Sequence, residues 1–353
     1  VYMYAKCGSL DKAQDVFDTL DSRDVVSWNS LITGYVGQGH GEEALELYTK
    51  MQLENISPNV ITYICTLKSC TMIGAEEKGQ EMHVELARQG LLAKNLVIGN
   101  ALVDMYAKCG LLAKAQETFN NLGVWDVVSC NALINGYVEF GCADKALEYF
   151  HLLLKEGILP DAVTYICTLK LCVGVGSLMN GIDVHLNVCK TGLDKDLIVG
   201  TALVDMYAKL GLLKEAQRVF DRLYVRDIVS WNSLIAGYSE YGFKLQALSC
   251  LEHMEMEGVS PNTLSWNTII LRLINHGESQ KRLFLYAQMQ ERGLLPDSPI
   301  FTSLLKACGN DAALESGRKF HSQINKLGLD LIEPCVSTAL VNMYAKCGCM
   351  NNA

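Results

Sequence analysis

The chain has 353 residues, half of them apolar and a fifth charged, and 30 Lys and Arg against 39 Asp and Glu leave a net charge of -9. That balance excludes a disordered chain and argues against a nonspecific nucleic-acid binder, which carries a basic excess. No apolar run approaches the roughly 18 uncharged residues of a membrane span; even Leu197 to Ala208 is broken by Asp205, so no membrane partner is expected.

The chain opens on Val-Tyr-Met-Tyr-Ala-Lys-Cys-Gly, a string with internal counterparts, so the true N-terminus and any targeting peptide are expected to lie outside it. Asn29, Asn131 and Asn232 stand in near-copies of one segment, 102 and then 101 residues apart. Recurring ends divide this period into units: a partial one at 1–24, then 25–59, 60–95, 96–126, 127–161, 162–196, 197–227 and 228–262. An extra unit follows at 263–297, then 298–333 and a partial unit at 334–353.

Within the unit 25–59, Trp28, Leu31, Ile32 and Tyr35 keep helical spacing, Gly37, Gly39 and Gly41 interrupt it, and Ala44, Leu45, Leu47, Tyr48 and Met51 resume it. Each unit therefore reads as a helical hairpin. Pro58, Pro160, Pro261 and Pro296 are next to last in their units, where proline is expected to stop the second helix. Asp24, Asp126 and Asp227 precede the next helix as N-caps. One hairpin cannot bury both apolar faces, so neighbours must stack. The expected fold is all-α, an α-solenoid superhelix forming one elongated domain, of a handedness that the sequence leaves open.

Most of the fourteen cysteines fall at repeat-equivalent places: Cys7, Cys109 and Cys347 before Gly, Cys65 with Cys167, and Cys70 with Cys172 and Cys308. Leu210 replaces the first type in one copy, which a packing site tolerates and a ligand or bridge does not. Small core residues in a reducing compartment are expected.

Polar residues recur at two further places. The fifth residue of the 35- and 31-residue units is Asn29, Asn100, Asn131, Thr201, Asn232 or Asn267. The last is Asn59, Asp126, Asp161, Asp227, Asn262 or Asp297. Asn or Thr inside a helix costs roughly half a kcal/mol relative to Ala and asks for a compensating partner. A purely structural reading supplies one: the last residue caps the next helix and the fifth hydrogen-bonds a neighbouring hairpin.

Val25 to Tyr35 reads Val-Val-Ser-Trp-Asn-Ser-Leu-Ile-Thr-Gly-Tyr, Ala101 to Gly110 reads Ala-Leu-Val-Asp-Met-Tyr-Ala-Lys-Cys-Gly, and Met82-His83 is echoed by Val184-His185. With the unit lengths and their order, these segments make the chain resemble plant pentatricopeptide repeat proteins of the PLS class, which alternate three unit types. The extra unit at 263 departs from that alternation. The resemblance implies that the fifth and last residues together read one RNA base per unit. By that code Asn29 with Asn59, and Asn232 with Asn262, are expected to read cytosine. Asn100 with Asp126, Asn131 with Asp161, and Asn267 with Asp297 are expected to read uracil, and Thr201 with Asp227 guanine. The units starting at 60 and 162 carry Ile64 and Ile166 and are expected to read nothing; Thr302 with Glu333 is unassigned, and Thr338 lacks its partner.

The second residue of the reading units is Val26, Val97, Val128, Ile198, Val229 or Leu264. These are either core or, as the resemblance implies, partly exposed clamps on the base. Lys108 and Lys209 share a helical face with Asn100 and Thr201, while Lys68, Lys170 and Lys306 recur in the middle units. They either meet phosphates or offset the helix dipole and pair with an Asp four residues before.

Catalytic patterns are nearly absent. His83-Val84-Glu85 matches half of a zinc-deaminase signature, but no Pro-Cys-x-x-Cys follows and His185 lacks the Glu. His83, His185 and His321 are expected to pack between hairpins. Gly174-Val175-Gly176 lacks the strand-turn-helix setting of a phosphate loop. No enzyme activity, cofactor, metal or small-molecule substrate is expected. The resemblance implies a binder of single-stranded organellar RNA in a mitochondrion or chloroplast, selecting cytidines for C-to-U editing with editing cofactor proteins, any deaminase-like domain lying beyond this chain. The competing expectation is a scaffold holding a protein or peptide in its concave face.

Overall fold

A computed structural model of the chain describes residues 1–274, 279–328 and 333–349, those at 93, 272–274 and 279–282 by backbone alone. Parts of the last three units, at 275–278, 329–332 and 350–353, fall outside the described residues. Among those described there are helices and turns and no strand. The chain divides into two compact units, Val1–Val175 and Gly176–Ala353.

In the N-terminal unit the helices Val25–Gly37, Val60–Ile73, Leu96–Lys108, Val127–Glu139 and Ala162–Gly174 pack each against the next. Gly41–Leu53, Glu76–Arg88, Leu112–Asn120 and Ala143–Lys155 return between them as a second layer. The C-terminal unit repeats the plan, its first helices being Leu197–Lys209, Ile228–Glu240, Thr263–Ile274, Ser298–Asn310 and Pro334–Lys346. The chain is an all-α helical-repeat solenoid. In the 31-residue sequence units the second helix shrinks to nine residues (Leu112–Asn120) or ten (Leu213–Arg222), against 13 for Gly41–Leu53.

Helix starts are set by side chains. Asp24, Asn59, Asp126, Asp161 and Asp227 each accept the backbone N–H of a Ser or Thr three residues on, whose hydroxyl in turn accepts the cap's own N–H. Such a box satisfies two donors the helix cannot, for about 1 kcal/mol each. The stops differ from expectation. The second helices end at Leu53, Lys155, Met256 and Glu291, several residues before each proline. Left-handed residues Asn55, Gly157, Gly258 and Gly293 turn the chain there. The prolines instead precede the next cap, where a fixed φ suits an extended approach.

The expectation of core cysteines also needs correction. Cys70, Cys172 and Cys308 are buried, but Cys7 is exposed and Cys109 and Cys347 only partly buried. These three form the ends of first helices, each followed by a left-handed Gly, and end positions face water. The helices of the 31- and 35-residue units approach closely because a Gly faces an Ala: a Cβ on Gly136 would lie 2.6 Å from that of Ala107, as Gly34 faces Ala5 and Gly237 faces Ala208. Beneath them Trp28 stands edge-on to Phe17 at 4.7 Å and Trp231 to Phe220 at 4.5 Å. In the middle copy Cys130 replaces the indole, and Phe119 meets Trp125 at 5.2 Å instead.

Candidate functional site

The first helices present their fifth residues one turn in from the cap, beside the cap of the following helix. In five units the fifth-residue amide reaches that cap. Asn29 Nδ2 donates to Asn59 Oδ1 at 2.9 Å, Asn100 Nδ2 to Asp126 Oδ1 at 3.0 Å, Asn131 Nδ2 to Asp161 Oδ1 at 2.9 Å and Asn232 Nδ2 to Asn262 Oδ1 at 3.4 Å. Asn267 Nδ2 donates to Asp297 Oδ2. Thr201 and Asp227 are not joined by a hydrogen bond, and the Thr201 hydroxyl has no partner among the described residues. Of the six pairs that the resemblance implied, five are bonded and one is not.

The amides are less open than the one-base-per-unit expectation suggests. Asn29 and Asn100 are 7% exposed and Asn267 8%. In three units the carbonyl is taken as well: Thr62 Oγ1 donates to Asn29 Oδ1, Thr164 Oγ1 to Asn131 Oδ1 and Ser265 Oγ to Asn232 Oδ1, each at 2.6 Å. The last residues thus cap, and the five Asn of the fifth position, though not Thr201, bond across hairpins. What stays open is set by atom counts. At Asp161 both lone pairs of Oδ1 are engaged, by Asn131 Nδ2 at 2.9 Å and Thr164 N at 2.9 Å, the single Thr164 hydroxyl proton being committed to Asn131 Oδ1. The second atom of the cap makes no side-chain bond among the described residues at Asn59, Asp126, Asp161, Asp227 or Asn262, where the bonds made all use Oδ1. It is an acceptor, Oδ2, in Asp and a donor, Nδ2, in Asn. Burial pushes the Asp161 carboxyl up, but the Thr164 N–H and the Asn131 and Thr164 side chains outweigh it and hold the group below the usual carboxylate range. It is therefore an acceptor at neutral pH. Asp297 differs, because Ile300 at the third helical position has no hydroxyl and both carboxylate oxygens are engaged.

The second residues Val26, Val97, Val128, Ile198, Val229 and Leu264 are exposed, from 53% at Val128 to 64% at Val26. Their position on otherwise buried apolar helices makes a row of open aliphatic contacts. Ile61 and Val163 were missed as members of that row. They hold the same second place in the units without a polar fifth residue and are 55% and 50% exposed; an aliphatic residue next to a cap was the available signal. Ile64 and Ile166 are partly buried and offer no hydrogen-bonding group.

The lysines fall into two sets. Lys108 Nζ pairs with Asp104 at 2.9 Å and Lys209 Nζ with Asp205 at 2.8 Å, the helical i,i+4 arrangement that the structural reading anticipated. Lys68, Lys170 and Lys306 are exposed and make no ion pair among the described residues. The histidines pin second helices to the next first helix: His83 Nδ1 lies 2.9 Å from Tyr106 OH, His185 Nδ1 2.8 Å from Tyr207 OH and His321 Nδ1 2.9 Å from Tyr344 OH. Burial holds His83 and His185 below the usual histidine value. No group of three or more His, Cys, Asp or Glu among the described residues could hold a metal ion.

Stacked hairpins with a repeated polar pair define a helical-repeat protein. Comparison with known proteins narrows this. The PPR repeat family model matches residues 23–72, 126–173 and 226–270, and the PPR repeat model residues 100–123 and 201–228. The chain belongs to the pentatricopeptide repeat (PPR) family. A chloroplastic pentatricopeptide repeat-containing protein of Arabidopsis thaliana is 30% identical over 353 residues, covering 100% of this chain and 51% of its own length. A mitochondrial one from the same plant is 32% identical over 344 residues, covering 98% of this chain and 30% of its own. The chain thus spans about half or less of these relatives. The crystal structure of the maize PPR protein PPR10 is 19% identical, covers 98% of this chain and 60% of its own and superposes with a TM-score of 0.48. In another crystal structure PPR10 is in complex with an 18-nucleotide psaJ RNA element.

Proposed function

We propose that this chain binds single-stranded RNA in a plant organelle and reads its sequence one base per pair-bearing unit. The observation that carries the reading is the recurring bond from the fifth-residue amide to the cap, which at Asn59, Asp126, Asp161 and Asn262 engages one cap atom and leaves the other without a bond among the described residues. Where the cap is Asp, as at Asp126 and Asp161, the open atom accepts and suits the N3–H of uracil. Where it is Asn, as at Asn59 and Asn262, the open atom donates and suits the unprotonated N3 of cytosine. The amide holds the cap in place and keeps a second N–H for the base. Thr201 beside Asp227 has no such amide, and a hydroxyl there leaves room for the larger guanine. On this reading the exposed second residues of successive units, Val26 and Ile61 for the pair of Asn29 and Val128 and Val163 for that of Asn131, contact the base faces. Contacts to base faces and edges need few phosphates, which accommodates a net charge of -9.

Membership of the family supports RNA as the ligand, and the chloroplastic and mitochondrial names of the relatives support an organellar setting. The order of unit lengths supports the PLS class and, with it, a role as the specificity module for C-to-U editing, the chemistry being supplied by other protein. A gel-shift series tests the base assignment. Asn131→Thr, with Asp161 left in place, should move preference at one position from U toward G. An unchanged preference in a folded variant counts against the code, and absence of RNA binding by the parent chain favours a peptide-binding scaffold.

A further inference from the structure

The ninth residue of each unit lies four places after the fifth, about 40° around the helix and one turn along, so it shares the fifth residue's face. Its identity follows the unit type. In 60–95, 162–196 and 298–333 it is Lys68, Lys170 and Lys306; in 96–126 and 197–227 it is Asp104 and Asp205; elsewhere it is Thr33, Asn135, Ala236 or Leu271.

None of the three lysine units holds a bonded pair of fifth and last residues. Ile64 and Ile166 have no polar atom, and Thr302 turns its hydroxyl back to the Ser298 carbonyl at 2.8 Å. Glu333, the last residue of the third such unit, makes no capping bond. Conversely, no unit with a bonded pair has a ninth-position lysine. The faces of the two kinds of unit adjoin, since Thr33 Oγ1 lies 3.3 Å from Cys65 Sγ and Cys167 Sγ 3.1 Å from Asn135 Oδ1. Charge divides the same way. Lys108 and Lys209 are cancelled by Asp104 and Asp205 four residues earlier, whereas Lys68, Lys170 and Lys306 are exposed without an ion pair among the described residues.

We infer that the units unable to read a base hold the RNA backbone instead, through Lys68, Lys170 and Lys306, while Lys108 and Lys209 contribute no net charge to binding. An ammonium group has donors only and acts as a point charge, so it engages any phosphate irrespective of the attached base. The carboxylates of Asp126, Asp161 and Asp227 on neighbouring reading units repel the backbone, and the free lysines offset them. This rests on the single-stranded RNA reading above and assigns separate units to sequence and to charge.

The test measures affinity of the full chain against salt for two RNAs differing at one U. The triple variant Lys68→Ala, Lys170→Ala, Lys306→Ala should flatten the slope of log K against log salt by about 2, at about 0.7 per phosphate contact on a single strand. The parent then loses roughly 20-fold more affinity than the variant between about 50 and about 200 mM salt. The ranking of the two RNAs stays the same. Deleting the ion pairs whole, as Asp104→Ala with Lys108→Ala and Asp205→Ala with Lys209→Ala, should leave the slope unchanged. A triple variant with the parent's slope and ranking overturns this inference alone, as does an equal flattening by the pair deletions. A parent that binds neither RNA overturns the inference together with the RNA reading. If the alanine variant fails to fold, the same three positions changed to Gln carry the same expectations.

Discussion

Asn100 and Asn131 occupy the same place in consecutive units, 31 and 35 residues long, and both donate to a capping Asp, yet only one has its carbonyl satisfied. Thr164 donates to Asn131 Oδ1, whereas Ser129, three residues beyond the cap that follows Asn100, turns its hydroxyl to the Asp126 backbone carbonyl at 2.9 Å and leaves Asn100 Oδ1 without a partner. Hydroxyl type is not the cause. Ser265 behaves as Thr164 does, bonding Asn232, while Ser230, after the other 31-residue unit, bonds the Asp227 carbonyl. Unit length decides: a hydroxyl 33 residues after the fifth position reaches the amide and one 29 residues after does not. The long units with a hydroxyl at that place hold the fifth-residue amide from two sides, whereas the long unit ending at Asp297, where Ile300 has no hydroxyl, and the short units hold theirs from one side or none.

Three tests would break or sharpen that contrast. The largest effect is expected at the contact between the two unit types. Gly136→Val puts a branched side chain where even a Cβ would stand 2.6 Å from that of Ala107, and should cost about 3 kcal/mol in urea unfolding. A variant as stable as the parent would mean that the two helices separate without penalty.

Next in size, Thr164→Val strands the Asn131 carbonyl and removes part of a capping box, for about 2 kcal/mol. Ser129→Ala removes only its box, for about 1 kcal/mol. Equal losses in parallel melts would refute the claim that only the long unit's hydroxyl holds an amide.

The smallest effect is in pH. Tyr106 of the short unit bonds His83 of the preceding helix, whereas Tyr137 of the long unit bonds Gln116 at 2.8 Å, so only the first junction titrates. Burial sets the folded pKa of His83 and His185 below the unfolded value of about 6.5. The unfolded chain then binds more protons between the two values, and stability rises with pH across that window. The contribution is complete above about pH 6.5 and lost as pH falls through the folded value. Melting midpoints should drop on going from pH 7 to 5, and a His83→Gln, His185→Gln double variant should drop less. An identical drop would assign the acid sensitivity elsewhere.

Much of this architecture could be read from the chain. Asp24, Asn59, Asp126 and Asp161 each announce a helix start, because a short acceptor before an apolar period with Ser or Thr three places on has few other uses. The helix stops were misplaced, because proline is conspicuous while the left-handed Asn55 and Gly157 look like ordinary loop residues. Cys7 and Cys109 were assigned to the core by their recurrence, but a recurrent position can equally be a recurrent helix end. At the site, the residue pairs were legible and their bonding was not.

The sequence by itself determined the hairpin repeat, the caps that start its helices and the polar residues at the fifth and last places of its units, since each depends on spacing within one segment. Only the tertiary structure decided which amides are held, which lysines are cancelled and which cap atom stays open. Those outcomes depend on hydroxyl and carboxylate directions, and on side chains about 30 residues apart meeting across stacked hairpins, which linear order does not encode.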